Sequence, residues 1–409
     1  MATIFGLTTT AYGQSAQKKA VKTNAHYALG SWRGVLKTRA DVEVPFNFDI
    51  ERAKNNTEHI IFRNAEERFD GGEVTYRGDS VFVHLDQFDN EFALKLSADS
   101  LTGVLRKQGQ SANTTPVLAK RNVNYRFKPN GEKAVSDFSG KYDITFKSAN
   151  GTEENAVGIF KQTGNKLTGT FLRITGDSRF LEGTVEGNTF YLSSFIGSGP
   201  SYFKGEFLAN GTLNGEVISA RGNQPFTGAK NENAALPDAN NLTFLKDGYK
   251  TLDFSFPDVN GKKISLSDEK YKNKVVILTI TGTWCPNCVD EASFIAPWYK
   301  ENKKRGVEVI ALHYERQLDS AYVRKVLTRF REKFGVEYDQ VIAGKPDKQI
   351  VAESLPALKN FLSFPTTIII NKKGEVAKIH TGYSGPATGK YYTDFVKEFN
   401  TEINQLLKQ

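Results

Sequence analysis

The chain is poor in sulfur: of 409 residues two are cysteine and one, Met1, is methionine. Two cysteines cannot build the dense disulfide framework that staples small secreted modules. A chain this long, enough for two or three domains, has no need of one to hold hydrophobic cores together. No run of about 18 apolar residues occurs, so no membrane-spanning helix is expected. The formal net charge is +8, yet lysine and arginine come only in short runs such as Lys18-Lys19, Lys303-Lys304 and Lys372-Lys373. Acidic residues interleave throughout, which argues against a nucleic-acid partner. Histidine is scarce as well, and between residues 27 and 228 His59 and His84 stand alone, with no catalytic constellation around them.

Aromatic residues, by contrast, make up 12% of the chain, with 29 Phe and 16 Tyr, and there are 35 Gly. That mixture favours strands joined by tight turns. Two segments resemble each other. One opens Gly30-Ser31-Trp32-Arg33-Gly34 and closes Leu101-Thr102-Gly103-Val104; the other opens Gly140-Lys141-Tyr142-Asp143 and closes Leu213-Asn214-Gly215-Glu216. Phe69-Asp70-Gly71-Gly72 is echoed by Phe180-Leu181-Glu182-Gly183 at nearly the same offset, which predicts a duplication. Alternating stretches such as Ser80-Val81-Phe82-Val83-His84-Leu85, punctuated by Asn130-Gly131, Asn150-Gly151 and Asn210-Gly211, read as an antiparallel meander. The expectation is an all-β antiparallel barrel-like domain over residues 27–228, built of two repeats at about 30–110 and 140–222. Both halves could contribute to one barrel, filled by side chains or holding an apolar ligand.

Ahead of it, residues 1–26 read as a signal-peptide remnant and leader. Residues 2–11 are small and apolar, and Ala11-Tyr12-Gly13 has the small-x-small form of a processing site. An exported protein is expected, with a frayed N-terminus as the other reading; no cysteine follows to carry a lipid anchor. Residues 229–248 turn to Gly, Asn, Ala, Pro and Asp and read as a linker. Residues 249–409 then alternate strands and helices, the pattern of an α/β domain.

Both cysteines fall in that domain. A continuous β-branched run over residues 274–281, typical of a buried central strand, breaks at Gly282-Thr283-Trp284, and Cys285-Pro286-Asn287-Cys288 opens a helix through Glu291 and Trp298. At a helix start Cys285 faces unpaired backbone N–H groups and the positive end of the dipole, which stabilise the nucleophilic thiolate. Cys288, one turn on, is placed to attack a mixed disulfide formed at Cys285. A Cys-x-x-Cys can also be half a zinc site, but there is no second cysteine pair to complete one, and no metal is expected. Further on, Phe364-Pro365-Thr366-Thr367 leads into another β-branched strand.

Strand, Trp-Cys-x-x-Cys, helix, then a proline entering a later strand: residues 249–409 resemble the thioredoxin fold, and more narrowly the TlpA-type extracytoplasmic thiol–disulfide oxidoreductases. The resemblance implies catalytic roles for Cys285, Cys288, Glu291 and Pro365, the last in a cis peptide facing the cysteines. It implies substrate contacts at Trp284, Pro286, Phe364 and Thr366. Glu291 would accept or return a proton as Cys288 attacks; its other reading is a first-turn acid favoured by the dipole. Pro365 could equally be an ordinary edge-strand proline. Ser293 stands where relatives often carry proline, and Pro297 follows later.

The leading functional expectation is an exported enzyme, in the periplasm or cell envelope of a Gram-negative bacterium, that reduces protein disulfides. It would take electrons from an upstream thiol reductant and need no cofactor beyond the Cys285–Cys288 disulfide. A peroxiredoxin-like peroxidase is an alternative, although Gly282 and Leu278 stand where that chemistry wants threonine and proline. Another is a ligand- or partner-binding protein in which the redox domain is auxiliary.

Overall fold

The structure, a computed structural model, describes residues 28–409. The leader expected over residues 1–26 lies outside them.

Strand alternation is clear in the burial of the first β-region: along Glu58–Asn64 and Ser80–Leu85 every second side chain is buried. Eight antiparallel strands follow one another and close, because Gly30–Arg39 pairs with both Val42–Arg52 and Thr115–Arg121. The second region repeats the plan. Gly140–Lys147 pairs with Glu153–Thr163 and Gly222–Lys230, and Glu153–Thr163 closes the ring against Lys166–Arg173. The opening glycines match, Gly30 with φ 120° and Gly140 with φ 119°, 110 positions apart (140 − 30).

There are thus two closed barrels, not one barrel shared by both halves. The reason is strand number. Each repeat carries eight barrel strands, and an eight-stranded ring is just wide enough for its own side chains to fill. Trp32, Phe46, Phe48, Phe62 and Phe92 fill the first; Tyr142, Phe146, Phe160, Phe171, Phe190 and Phe226 fill the second. The closing strands Thr115–Arg121 and Gly222–Lys230 run past the repeat ends expected at 110 and 222, and the latter runs into the segment read as linker.

The C-terminal domain has a five-stranded sheet in the order Asp339–Gly344, Val307–Tyr314, Val275–Thr281, Thr366–Ile370, Val376–Thr381. The central strand Val275–Thr281 is buried at every position. It runs parallel to Val307–Tyr314 and antiparallel to Thr366–Ile370. Helices α1 (Pro286–Asn302), α2 (Ser320–Phe334) and α4 (Lys390–Lys408) share one core through Val289, Ile295, Phe330, Phe399 and Ile403. The short α3 (Lys348–Ser354) contributes Val351 to the core on the other face, with Leu252 and Phe254. Among the described residues no helix is long and apolar enough to cross a membrane.

The three bodies interlock. Phe195, from the loop after the second-barrel strand Thr189–Ser194, enters the core of the first barrel, its ring 5.0 Å from those of Phe46 and Phe62. Its neighbour Ile196, and Phe88 of the first barrel, join the core of the C-terminal domain. Between the barrels Arg126 is buried and donates to the Asn64 side chain at 3.1 Å and the Ser193 carbonyl at 2.9 Å.

Candidate active site

The site forms where the central strand ends. Gly282 is required there: a Cβ would meet the Trp284 Nε1 at 2.4 Å and the Tyr314 carbonyl oxygen at 2.8 Å. Without it Trp284 folds back and donates its indole N–H to the Tyr314 carbonyl at 2.8 Å. Thr283 is held at both ends. Its N–H and hydroxyl donate to the two carboxylate oxygens of Glu315 at 2.8 and 2.9 Å, and its carbonyl accepts from Gln87 of the first barrel at 2.9 Å. Glu315 is wholly buried beside His313, whose Nδ1 lies 3.4 Å away.

Cys285 caps α1. Its Sγ accepts from the Cys288 N–H at 3.4 Å and its carbonyl accepts from Val289 at 3.1 Å. Pro286 follows at the first helical position, where a missing N–H costs nothing. Both cysteines are free thiols; Cys285 is 6% exposed and Cys288 not at all. Burial, above all, pushes the Cys288 thiol well above its ordinary value, and the neighbouring Cys285 and Glu291 push it the same way.

The Phe364–Pro365 peptide is cis. It lies across from the sulfur, the Cys285 thiol donating to the Phe364 carbonyl at 3.6 Å. The Phe364 ring meets Trp284 edge-on at 5.6 Å, while the Arg316 guanidinium covers Trp284 at 4.9 Å. Glu291 is 2% exposed on α1, and its Oε1 accepts from the Thr367 hydroxyl at 2.5 Å. Burial pushes its carboxyl up to about 8, against the opposing pull of that hydrogen bond. Among the described residues no cation pairs with it in the way Arg179 pairs with Asp290.

Cys285, Cys288, Trp284, Pro286, Phe364, Pro365 and Glu291 therefore gather around one helix start. Thr366 corrects the expectation. It is completely buried, its hydroxyl donates inward to the Ser363 carbonyl at 2.8 Å, and it presents nothing to a substrate. Its neighbour Thr367 does the work at Glu291 instead, since successive strand residues face opposite ways. Sequence reasoning also missed Glu315, legible only as an acid following the largely apolar strand Val307–Tyr314. Gln87 and Arg179 carry no local signal at all; tertiary packing brings them in. Arg179, from the second barrel, donates to the Pro286 carbonyl at 3.1 Å and pairs with Asp290 of α1 and Glu67 of the first barrel.

The Redoxin family profile matches residues 246–394. Thiol-disulfide oxidoreductase ResA of Bacillus subtilis (strain 168) is 31% identical over 158 residues, covering 38% of this chain and 79% of the relative. ResA of Geobacillus kaustophilus (strain HTA426) is 35% identical over 140 residues, covering 34% of this chain and 72% of the relative. Among solved structures, a thiol:disulfide interchange protein of the thioredoxin family from Chlorobium tepidum TLS is similar. It has a TM-score of 0.30 and 21% identity, and the match covers 40% of this chain and 99% of that one.

Proposed function

The chain belongs, through its C-terminal domain, to the TlpA-like thiol–disulfide oxidoreductases, and on that premise we propose that it reduces protein disulfides in the cell envelope through the Cys285–Cys288 pair. The observation that carries this reading is the pairing of two free thiols across one helical turn, the Cys288 N–H on the Cys285 sulfur, opposite the Phe364 carbonyl.

The steps follow from that arrangement. The Cys285 thiolate attacks one sulfur of a substrate disulfide, the S–S bond breaks, and the other substrate sulfur leaves as a thiolate that takes up a proton. Cys288 then loses its proton and attacks Cys285 in the mixed disulfide. The second substrate sulfur departs, and the two electrons now missing from the protein are held as a Cys285–Cys288 disulfide. An upstream dithiol returns them by the reverse exchange. Cys288 is the reluctant partner, because burial disfavours its thiolate. Glu291, pushed up to about 8, holds its own proton at neutral pH; its ionised fraction, which grows as pH approaches 8, is the form that receives the Cys288 proton. The cis Phe364–Pro365 segment offers a backbone carbonyl, with no competing N–H at Pro365, along which an extended substrate can lie. Export to the envelope is supported by the apolar residues 2–11 and the small-x-small site after them.

The test is a pair of substitutions in the full chain, assayed with a disulfide-linked fluorescent peptide and dithiothreitol. Cys285→Ser is expected to abolish turnover, and Cys288→Ser to accumulate a mixed disulfide seen as an added peptide mass. Full turnover in both variants would end the proposal.

A further inference from the structure

Arg179 stands at the meeting point of all three bodies. It belongs to the second barrel, in the loop after Lys166–Arg173, and has a left-handed backbone with φ 56°. Its own N–H donates to the Asp177 carboxylate at 2.6 Å, and the other oxygen of Asp177 accepts from the Gly385 N–H of the redox domain at 2.5 Å. Its guanidinium reaches the Pro286 carbonyl, inside the Cys-x-x-Cys, and is clamped between Glu67 and Asp290. Gly176 in the same loop approaches Asn287 so closely that a Cβ would lie 1.9 Å from its amide nitrogen. One cation and three carboxylates are thus buried against the first turns of the helix that carries both sulfurs. Asp290 is five residues beyond Cys285, about 7.5 Å along the helix axis. Charges at that range, shielded from water, act far more strongly than they would in solvent.

We propose that this barrel-borne cluster tunes the redox pair: Arg179 is a positioning residue that, with Asp290, sets the charge at the start of α1 and thereby the reduction potential of Cys285–Cys288. The barrels are then part of the redox site as well as neighbours of it. The sign follows from the thiolate, a charge the pair can carry only when it is reduced. A cation near the helix start favours that state and raises the potential; a carboxylate does the reverse. The inference rests on Cys285 and Cys288 being a redox pair. Its readout is an equilibrium between two sulfurs, so it is separable from whether a protein disulfide is the substrate.

The experiment equilibrates the full chain with a glutathione series and reads the oxidised fraction by alkylation. Arg179→Met is expected to shift the equilibrium about threefold toward the disulfide, roughly 14 mV more negative at 29.6 mV per tenfold. Asp290→Asn is expected to shift it about threefold the other way, and the double variant to lie within about twofold of the parent. A purely structural contact predicts otherwise: both single variants would loosen the same junction and move the potential together or leave it alone. Either result overturns the proposal. If Arg179→Met fails to fold, Arg179→Lys, which keeps the charge, is expected to hold the parent potential, and Asp290→Asn alone decides the sign.

Discussion

The barrels and the redox domain are both sealed against water, but they seal different things. The barrel interiors hold rings of phenylalanine, Phe46, Phe62 and Phe92 in one and Phe160, Phe171 and Phe190 in the other. Buried polar groups of the barrels such as Arg126, Asn64 and Gln87 sit at junctions between the bodies. Arg126, for one, is pushed down to about 10 by burial and is surrounded by carbonyls and Asn64. The redox domain instead buries Glu291 and Thr367 near its two sulfurs, and Glu315 and His313 behind the turn that leads to them. A buried acid held by one hydroxyl disfavours folding, and such a group is kept where chemistry uses it. The barrels' buried acids are ion-paired, Asp49 with Arg63 and Arg68 and Glu91 with Arg106, whereas Glu291 at the site is held by the Thr367 hydroxyl.

The largest effect that would break this contrast is on the barrel side. Phe195 is 1% exposed among three rings of the other barrel. Phe195→Ala is expected to lower stability by about 3–5 kcal/mol, the range for emptying an aromatic site in a core. Urea unfolding measures it. A loss under about 1 kcal/mol would mean that the barrels do not depend on each other.

Glu291 gives an effect of similar size with the opposite character. Its carboxyl titrates at about 8 in the folded chain against 4.5 ordinarily, so between those values the folded state holds a proton that the unfolded state has lost. Its share of stability is fully present below about pH 4.5 and is lost as pH rises through about 8. The loss is roughly 5 kcal/mol at about 1.36 kcal/mol per unit. Glu291→Gln should abolish that slope and leave the variant more stable than the parent at pH 8. The same substitution should slow resolution of the mixed disulfide. Urea midpoints for both proteins from pH 5 to pH 8.5 decide the matter, and parallel slopes would remove Glu291 from the account.

How far these features can be read without coordinates also divides along the two regions. The strand Val275–Thr281 is legible because seven successive buried positions need a continuous β-branched run, and α2 and α4 because their apolar residues recur at helical spacing. The strand Asp339–Gly344 and the seven-residue α3 are not: Asp339-Gln340-Val341-Ile342 is too mixed, and α3 spans only two turns. In the β-region the repeat and the barrel-like character are legible, but not that each repeat closes on itself. Closure depends on pairing Gly30–Arg39 with Thr115–Arg121, a contact that no local pattern encodes. At the site, the cysteines and Pro365 announce themselves by spacing and order. Thr366 misleads because a strand inverts its faces at every residue, and the choice between Thr366 and Thr367 is made by register against Ile280 and Thr279.

The smallest expected effect lies on the seam between the regions. Gln87 is 7% exposed, and its side-chain N–H is the barrel's bond to the Thr283 carbonyl, two residues before Cys285. Gln87→Leu keeps the bulk and removes the donor, leaving a buried carbonyl unpaired at a cost of about 1–3 kcal/mol. If the barrel merely rests against the redox domain, the seam relaxes, water reaches the carbonyl, and the loss falls to the bottom of that range or below. If the two are one packed unit, the full cost appears. In that case Trp284, tied to the same turn through the Tyr314 carbonyl, changes its fluorescence as well. Glu315 holds the opposite end of Thr283 from within the redox domain, so Glu315→Gln serves as the internal comparison. A loss at Gln87 as large as that at Glu315 means that the turn before the nucleophile is built equally by both regions.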